Sequence, residues 1–169
     1  MPNVNMIMAH PLDSIGSLNN LRSLLIYDTL LTDGLLETIC SLPSLVELSL
    51  WDCHTLSESS ITHLTSMDTL EKLTLHRFDA LNESHFVQFL QLKSLKTLEL
   101  YLCRNLADAN LEQLGSMPRL THLTICPHSI EEGQYQLPTN IKLVTDKTSR
   151  KAESRVKHLL RKIKSKGLF

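Results

Sequence analysis

Glycine is scarce in this chain, five residues in 169, and none cluster into the kind of loop that cradles phosphates, which argues against a nucleotide site. Also missing is any run of roughly 18 apolar residues, and the N-terminus carries no charged-then-apolar leader, so neither a membrane span nor a secretory signal is expected. The sequence reads as a soluble, cytoplasmic protein. Its eight histidines are scattered, and His54 beside Cys53 has no second Cys or His pair at ligand spacing. Neither a metal nor a cofactor is expected. Aromatic residues are few, with one Trp, three Tyr and four Phe, so where they fall carries information.

What the chain has in excess is leucine, 35 residues of it, and the leucines are spaced. Leu21, Leu45, Leu70, Leu95 and Leu120 open successive units of about 25 residues, the first one position shorter than the rest. The columns Leu48, Leu73, Leu98, Leu123 and Leu50, Leu75, Leu100, Ile125 stay in register, as do Leu56, Leu81, Leu106 and Ile61, Phe86, Leu111. A recurring LxxLxLxxCxxL phrase at this period reads as a leucine-rich repeat.

Within each unit the first phrase alternates, Leu48 and Leu50 one way and Glu47, Ser49 and Trp51 the other, which predicts a short strand. Thr32-Asp33, Ser57-Glu58, Asn82-Glu83 and Ala107-Asp108 then offer helix starts. Apolar residues at three-residue steps follow: Leu36, Ile39, Leu42; Ile61, Leu64, Met67; Phe86, Phe89, Leu92; Leu111, Leu114, Met117. The expected architecture is α/β, a right-handed βα leucine-rich-repeat solenoid, or horseshoe arc, with parallel strands on its concave face and a basic C-terminal helix.

The chain divides accordingly. Residues 1–20 form an N-terminal cap in which Met6 and Met8 stand where strand residues would and Leu12, Ile15 and Leu18 cover the core. Residues 21–130 hold the repeats, 21–44, 45–69, 70–94, 95–119 and a partial 120–130. A C-terminal cap spans 131–146, with Gly133 and Pro138 as turn makers and Ile141, Leu143 and Val144 as a last strand. Residues 147–169 are a basic amphipathic helix or tail with Val156, Leu159, Leu160 and Ile163 on one face. Charge follows the same division: residues 1–146 hold 8 Lys/Arg against 17 Asp/Glu, a net of −9, and 147–169 hold 9 against 1, a net of +8.

The repeat resembles the cysteine-containing class of leucine-rich repeats found in F-box ubiquitin-ligase adaptors. Cys53 and Cys103 in the ninth slot and the phrase Leu31 to Asp33 carry the resemblance, which covers residues 21 to about 130. It implies a buried thiol bonded to turn backbone and a concave face that binds a partner. Thr29, Phe78 and His128 depart from the ninth-slot cysteine, and Phe78 is expected to reshape its turn. Only 20 residues precede the first repeat, too few for an F-box. Cys53 and Cys103 are two strand spacings apart, about 10 Å, too far for a disulfide, so buried thiols are expected.

The register also lists the outward columns. The seventh slot reads Tyr27, Trp51, His76, Tyr101 and Cys126, so the single Trp and two of three Tyr share one exposed column. Such residues are enriched in binding hot spots, although a ladder of them also stiffens a sheet by packing. Tyr27, Trp51, His76 and Tyr101 are the expected partner-binding residues, with Glu47, Asp52, Lys72, Arg77 and Glu99 as selective charges. Acids including Asp28 make the first half acidic and Lys72, His76 and Arg77 form a basic island, which favours an amphipathic or basic peptide.

No serine or cysteine nucleophile stands next to His76 with a carboxylate behind it, so catalytic residues are not expected. The tail, with Arg155, Arg161, Lys162 and Lys164 on its surface, is read as a capping helix, a solvated tail, or an anchor for anionic membrane; no specific nucleic acid is expected. The expected function is a monomeric, non-catalytic protein-interaction module. Alternatives are a substrate receptor of a ubiquitin-ligase-type or bacterial-effector complex, which would act in a host cytosol, or a membrane-peripheral scaffold.

Overall fold

The computed structural model describes residues 4–7, 12–27, 30–53, 55–103, 111–126 and 141–145. Met8, Leu106, Gly133, Pro138 and the tail, with Arg155, Arg161, Lys162 and Lys164, lie outside them. Alternation produces strands where expected: β2 (Ser23–Tyr27), β3 (Glu47–Trp51), β4 (Lys72–His76), β5 (Thr97–Tyr101) and β6 (His122–Cys126). Two more flank them, β1 (Val4–Ile7) and β7 (Lys142–Thr145). All seven join one parallel sheet in sequence order.

Helical segments connect the strands: α1 (Asp33–Cys40), α2 (Ser59–Thr65), α3 (Phe86–Phe89) and α4 (Leu111–Leu114). A 3-10 turn, Glu83–His85, leads into α3, and another spans Leu12–Ser17. The third helix is a single turn, shorter than the apolar spacing implies; residues 104–110, before α4, lie outside the described residues. Leu36, Ile39, Ile61, Leu64, Phe86, Phe89 and Leu114 bury fully against the strand leucines in one core. That core holds the columns from Leu24 to Leu123 and from Ile26 to Ile125, all 0–1% exposed. Helices therefore cover one side of the sheet, and the other side is left to the residues between the leucines.

Two backbone features repeat and hold the units in register. The carbonyls of Arg22, Val46, Glu71 and Lys96 each accept from two successive amides of the next unit, as in Glu71 N and Lys72 N to Val46 O at 2.8 and 3.0 Å. The residue after each strand then turns left-handed: Asp52, Arg77 and Leu102 have φ of 54°, 51° and 54°. Glycine suits this region best, so three non-glycine residues there carry a steric cost that surrounding contacts must offset. Arg77 turns as its neighbours do, so Phe78 does not alter this step; the third unit differs later, in the 3-10 start of α3.

The thiols bond to backbone at these turns. Cys53 Sγ donates to Trp51 O at 3.5 Å and Cys103 Sγ to Tyr101 O at 3.6 Å. Burial pushes the Cys103 thiol up to about 12, leaving it protonated and unreactive at neutral pH.

At the N-terminus β1 adds a rung, in which Met6 pairs with Leu25. Ile15 is buried as expected, but Leu18 is 37% exposed. The 3-10 segment ends at Ser17, so Leu18 falls past the turn that directs Ile15 inward.

Helix starts follow the sequence in part. Thr32 caps α1, its hydroxyl accepting from Leu35 N at 3.3 Å. Ser57 instead joins a cluster around Asp33. That carboxylate accepts from Ser57 N at 3.1 Å and from the hydroxyls of Ser57, Ser59 and Ser60, tying α1 to the start of α2. These donors, Ser57 and Ser60 foremost, hold the Asp33 carboxyl well below the usual carboxylate range. Asp33→Ala is expected to cost about 2 kcal/mol at pH 7 by urea unfolding, since several hydroxyls and an amide lose a charged acceptor. A carboxyl depressed on folding stabilises above its unfolded value, near 4, and loses that contribution as pH falls through the folded value. The difference between parent and variant should therefore shrink below about pH 4. A difference that is constant from pH 7 to pH 3 would show that the charge is not what the serines recognise.

Candidate protein-interaction surface

Tyr27, Trp51, His76 and Tyr101 stand opposite one another across β2 to β5, and Cys126 follows in β6. Each is the last residue of its strand, so the column runs along the edge where the strands end. Trp51 and His76 stack with centroids 4.3 Å apart and planes within 13°. Tyr101 lies 6.1 Å from Trp51 and 6.5 Å from His76. Strand spacing alone would hold Trp51 and Tyr101 about 9.6 Å apart, so the rings lean together into a three-ring cluster.

That leaning corrects the expectation of a fully exposed column. Trp51 is 5% and His76 2% exposed, whereas Tyr27 and Tyr101 are half-buried. Planar side chains on adjacent strands gain more by covering one another than by facing water, so Trp51 and His76 close over while Tyr27 and Tyr101 stay partly accessible.

Four of the five charges expected to select a partner, Asp52, Lys72, Arg77 and Glu99, are also paired with one another. Asp52, 9% exposed, places Oδ1 3.2 Å from His76 Nδ1 and 3.3 Å from Arg77 Nη1. Lys72 Nζ is 3.1 Å from Glu99 Oε1, and Thr74 donates to Glu99 Oε2 at 2.8 Å. Ser23 donates to Glu47 Oε2 at 3.1 Å. Lys72 and Glu99 bridge β4 and β5, and Asp52 and Arg77 bridge the turns after β3 and β4. The acidic half and basic island read from the sequence thus merge into cross-strand pairs. The part-exposed Lys72–Glu99 pair holds by about 1 kcal/mol or less, so an incoming group can exchange with it, whereas Asp52 is buried against His76. Asp28 lies outside the described residues.

The Asp52–His76–Arg77 triangle was not legible from the sequence. Its members fall in the seventh and eighth slots of adjacent units, but only the left-handed turn brings His76 and Arg77 together against Asp52. Trp51 Nε1 is a further surprise: it is buried and has no hydrogen-bond partner among the described residues. An imidazole paired with a carboxylate is half of a nucleophile-activating device. The candidate nucleophile in the same column, Cys126, is two strands from His76, about 10 Å by strand spacing.

Among the described residues no three His, Cys, Asp or Glu side chains converge into a metal-holding group, and no helix is long and apolar enough to cross a membrane. No protein-family model matches the chain, and no curated protein matches its sequence.

Proposed function

We propose that the chain is a leucine-rich-repeat protein, a right-handed βα solenoid curved into a horseshoe arc, whose strand-lined face binds a protein or peptide without catalysis. The regular leucine period, about 25 residues, and the parallel sheet in sequence order support the architecture. The aromatic column carries the functional reading. Aromatic residues with polar tips make favourable anchors because they bury large area at little rotamer cost, and a packed row of them is preorganised.

Roles within the column differ. Tyr27 and Tyr101 are the contact residues, joined by Lys72, Arg77, Glu47 and Glu99 as exchangeable charges. Trp51, His76 and Asp52 position them from beneath. Because four of the five charges of the face pair with one another, its best-matched partner presents apolar or planar groups to the tyrosines and contributes few net charges of its own.

The test is affinity capture from lysate with mass spectrometry, comparing the parent with Tyr27→Ala/Tyr101→Ala and with Val87→Ser, an exposed change on α3. A partner held by the face is expected to be retained by the α3 variant and weakened about 30-fold or more by the double variant, about 2 kcal/mol. Equal capture by all three proteins would assign the column to sheet packing alone.

A further inference from the structure

The residues that alternate with the core leucines change character from unit to unit. Along β2 they are Ser23, Leu25 and Tyr27, and Leu30 follows between β2 and α1 with 82% of its surface exposed. In the column of Leu25 the next four strands carry Ser49, Thr74, Glu99 and Thr124, all of them polar. The first full unit is therefore the apolar stretch of this face. Leu25 and Tyr27 are half-buried, and Leu30 is the most exposed large apolar side chain among the described residues, so the core does not account for it.

Glu47 stands beside the start of that stretch, opposite Ser23 in the register. It is exposed, and its side chain accepts from the Ser23 hydroxyl at 3.1 Å. Lys72 lies directly across from Glu47 on β4, yet its ammonium goes to Glu99 at 3.1 Å, where Thr74 donates as well. Two carboxylates thus flank one ammonium, and Glu47 keeps only a neutral donor. Among the described residues no cation, Arg22 included, forms an ion pair with it. Leu25 and Tyr27 lie two and four residues along β2 from the position beside Glu47, about 7 and 13 Å at the rise of a strand. An extended peptide presents side chains to one side at that same interval, every second residue.

We infer, on the peptide-binding reading of this face, that the partner contributes an extended segment lying along β2, with apolar side chains on Leu25 and Tyr27 and one Lys or Arg on Glu47. One basic side chain neutralises Glu47 and leaves the Lys72–Glu99 pair intact, in keeping with a partner of few net charges. Tyr101, three strands over, meets another part of the same partner. Affinity comes from the apolar contacts. The charge selects among peptides, because an exposed ion pair changes affinity only a few-fold.

The test is selection of random displayed peptides of about 12 residues, about 40 Å when extended, against the full chain and its variants. The parent is expected to select peptides that Tyr27→Ala/Tyr101→Ala does not hold, with Lys or Arg about four residues from an aromatic or aliphatic residue. Glu47→Gln should select the same apolar residues without the basic one, and Glu47→Lys should select an acid in its place. For a selected peptide, changing the basic residue to Gln is expected to weaken binding to the parent about 3-fold or more and to leave binding to Glu47→Gln unchanged. Asp28→Asn, which removes the other acid near Tyr27 in the sequence, should keep the basic preference. Thermal melts by circular dichroism verify folding; should Glu47→Lys, opposite Lys72, fail to fold, Glu47→Gln carries the comparison. If no selected peptide depends on the tyrosines, the binding reading of the face fails, and the basic segment with it. Tyrosine-dependent peptides overturn the basic segment alone if they lack the basic residue, keep it in Glu47→Gln, or lose it equally in Asp28→Asn. So does a basic residue about nine positions from the apolar one, the spacing by which a helix would span the same distance.

Discussion

Trp51→Ala is expected to destabilise the protein by about 3–5 kcal/mol, whereas Trp51→Phe should fall within about 1 kcal/mol of the parent or exceed it in stability. The alanine change removes the ring on which His76 stacks and against which Tyr101 leans, and it opens a void in the three-ring cluster. Few surface-facing strand residues should matter so much; Trp51 does because it is only 5% exposed. The phenylalanine change keeps an aromatic plane against His76. It gives up part of the buried area, about 1 kcal/mol, and removes a buried N–H that has no partner among the described residues, worth about 1–3 kcal/mol in the opposite direction. Urea unfolding followed by far-UV circular dichroism suits both variants, since the single tryptophan is lost. If phenylalanine costs as much as alanine, the indole N–H is satisfied or the larger ring is indispensable.

Phe78→Cys carries the second large effect, an expected loss of about 3 kcal/mol. By column the substitution makes the third unit match the second and fourth, which have Cys53 and Cys103 in that slot. A repeat-consensus argument therefore predicts a gain. Packing predicts the reverse: Phe78 is 1% exposed, and its ring fills volume beneath a unit whose helical segment is a 3-10 turn followed by a single α-helical turn. A thiol there would leave a cavity that the short segment cannot close. The urea midpoint should fall with an unchanged slope, because compactness of the native state is preserved. A cost below about 1 kcal/mol would mean that the third unit can relax into the form of its neighbours.

Both expectations separate two kinds of information. Where a side chain points was legible because it depends on strand parity and period alone. Every opening leucine lies just before its strand, the two buried columns are those the spacing defines, and the aromatic column is in the order Tyr27, Trp51, His76, Tyr101. The last strand, through Leu143 and Val144, was legible for the same reason. What covers a side chain after it points outward was not. Trp51 and His76 lie one full repeat apart along the chain, and nothing in a linear pattern says whether their rings stack or splay.

By itself, then, the sequence determined the register. A repeat with leucine at fixed offsets in every unit admits one phase, because a slip of one residue would turn every buried side chain to water. Only the tertiary structure decided which outward residues are accessible and which charges are spent on each other. Those depend on contacts between units, across strands about 4.8 Å apart, and on the left-handed turn that brings His76 and Arg77 against Asp52.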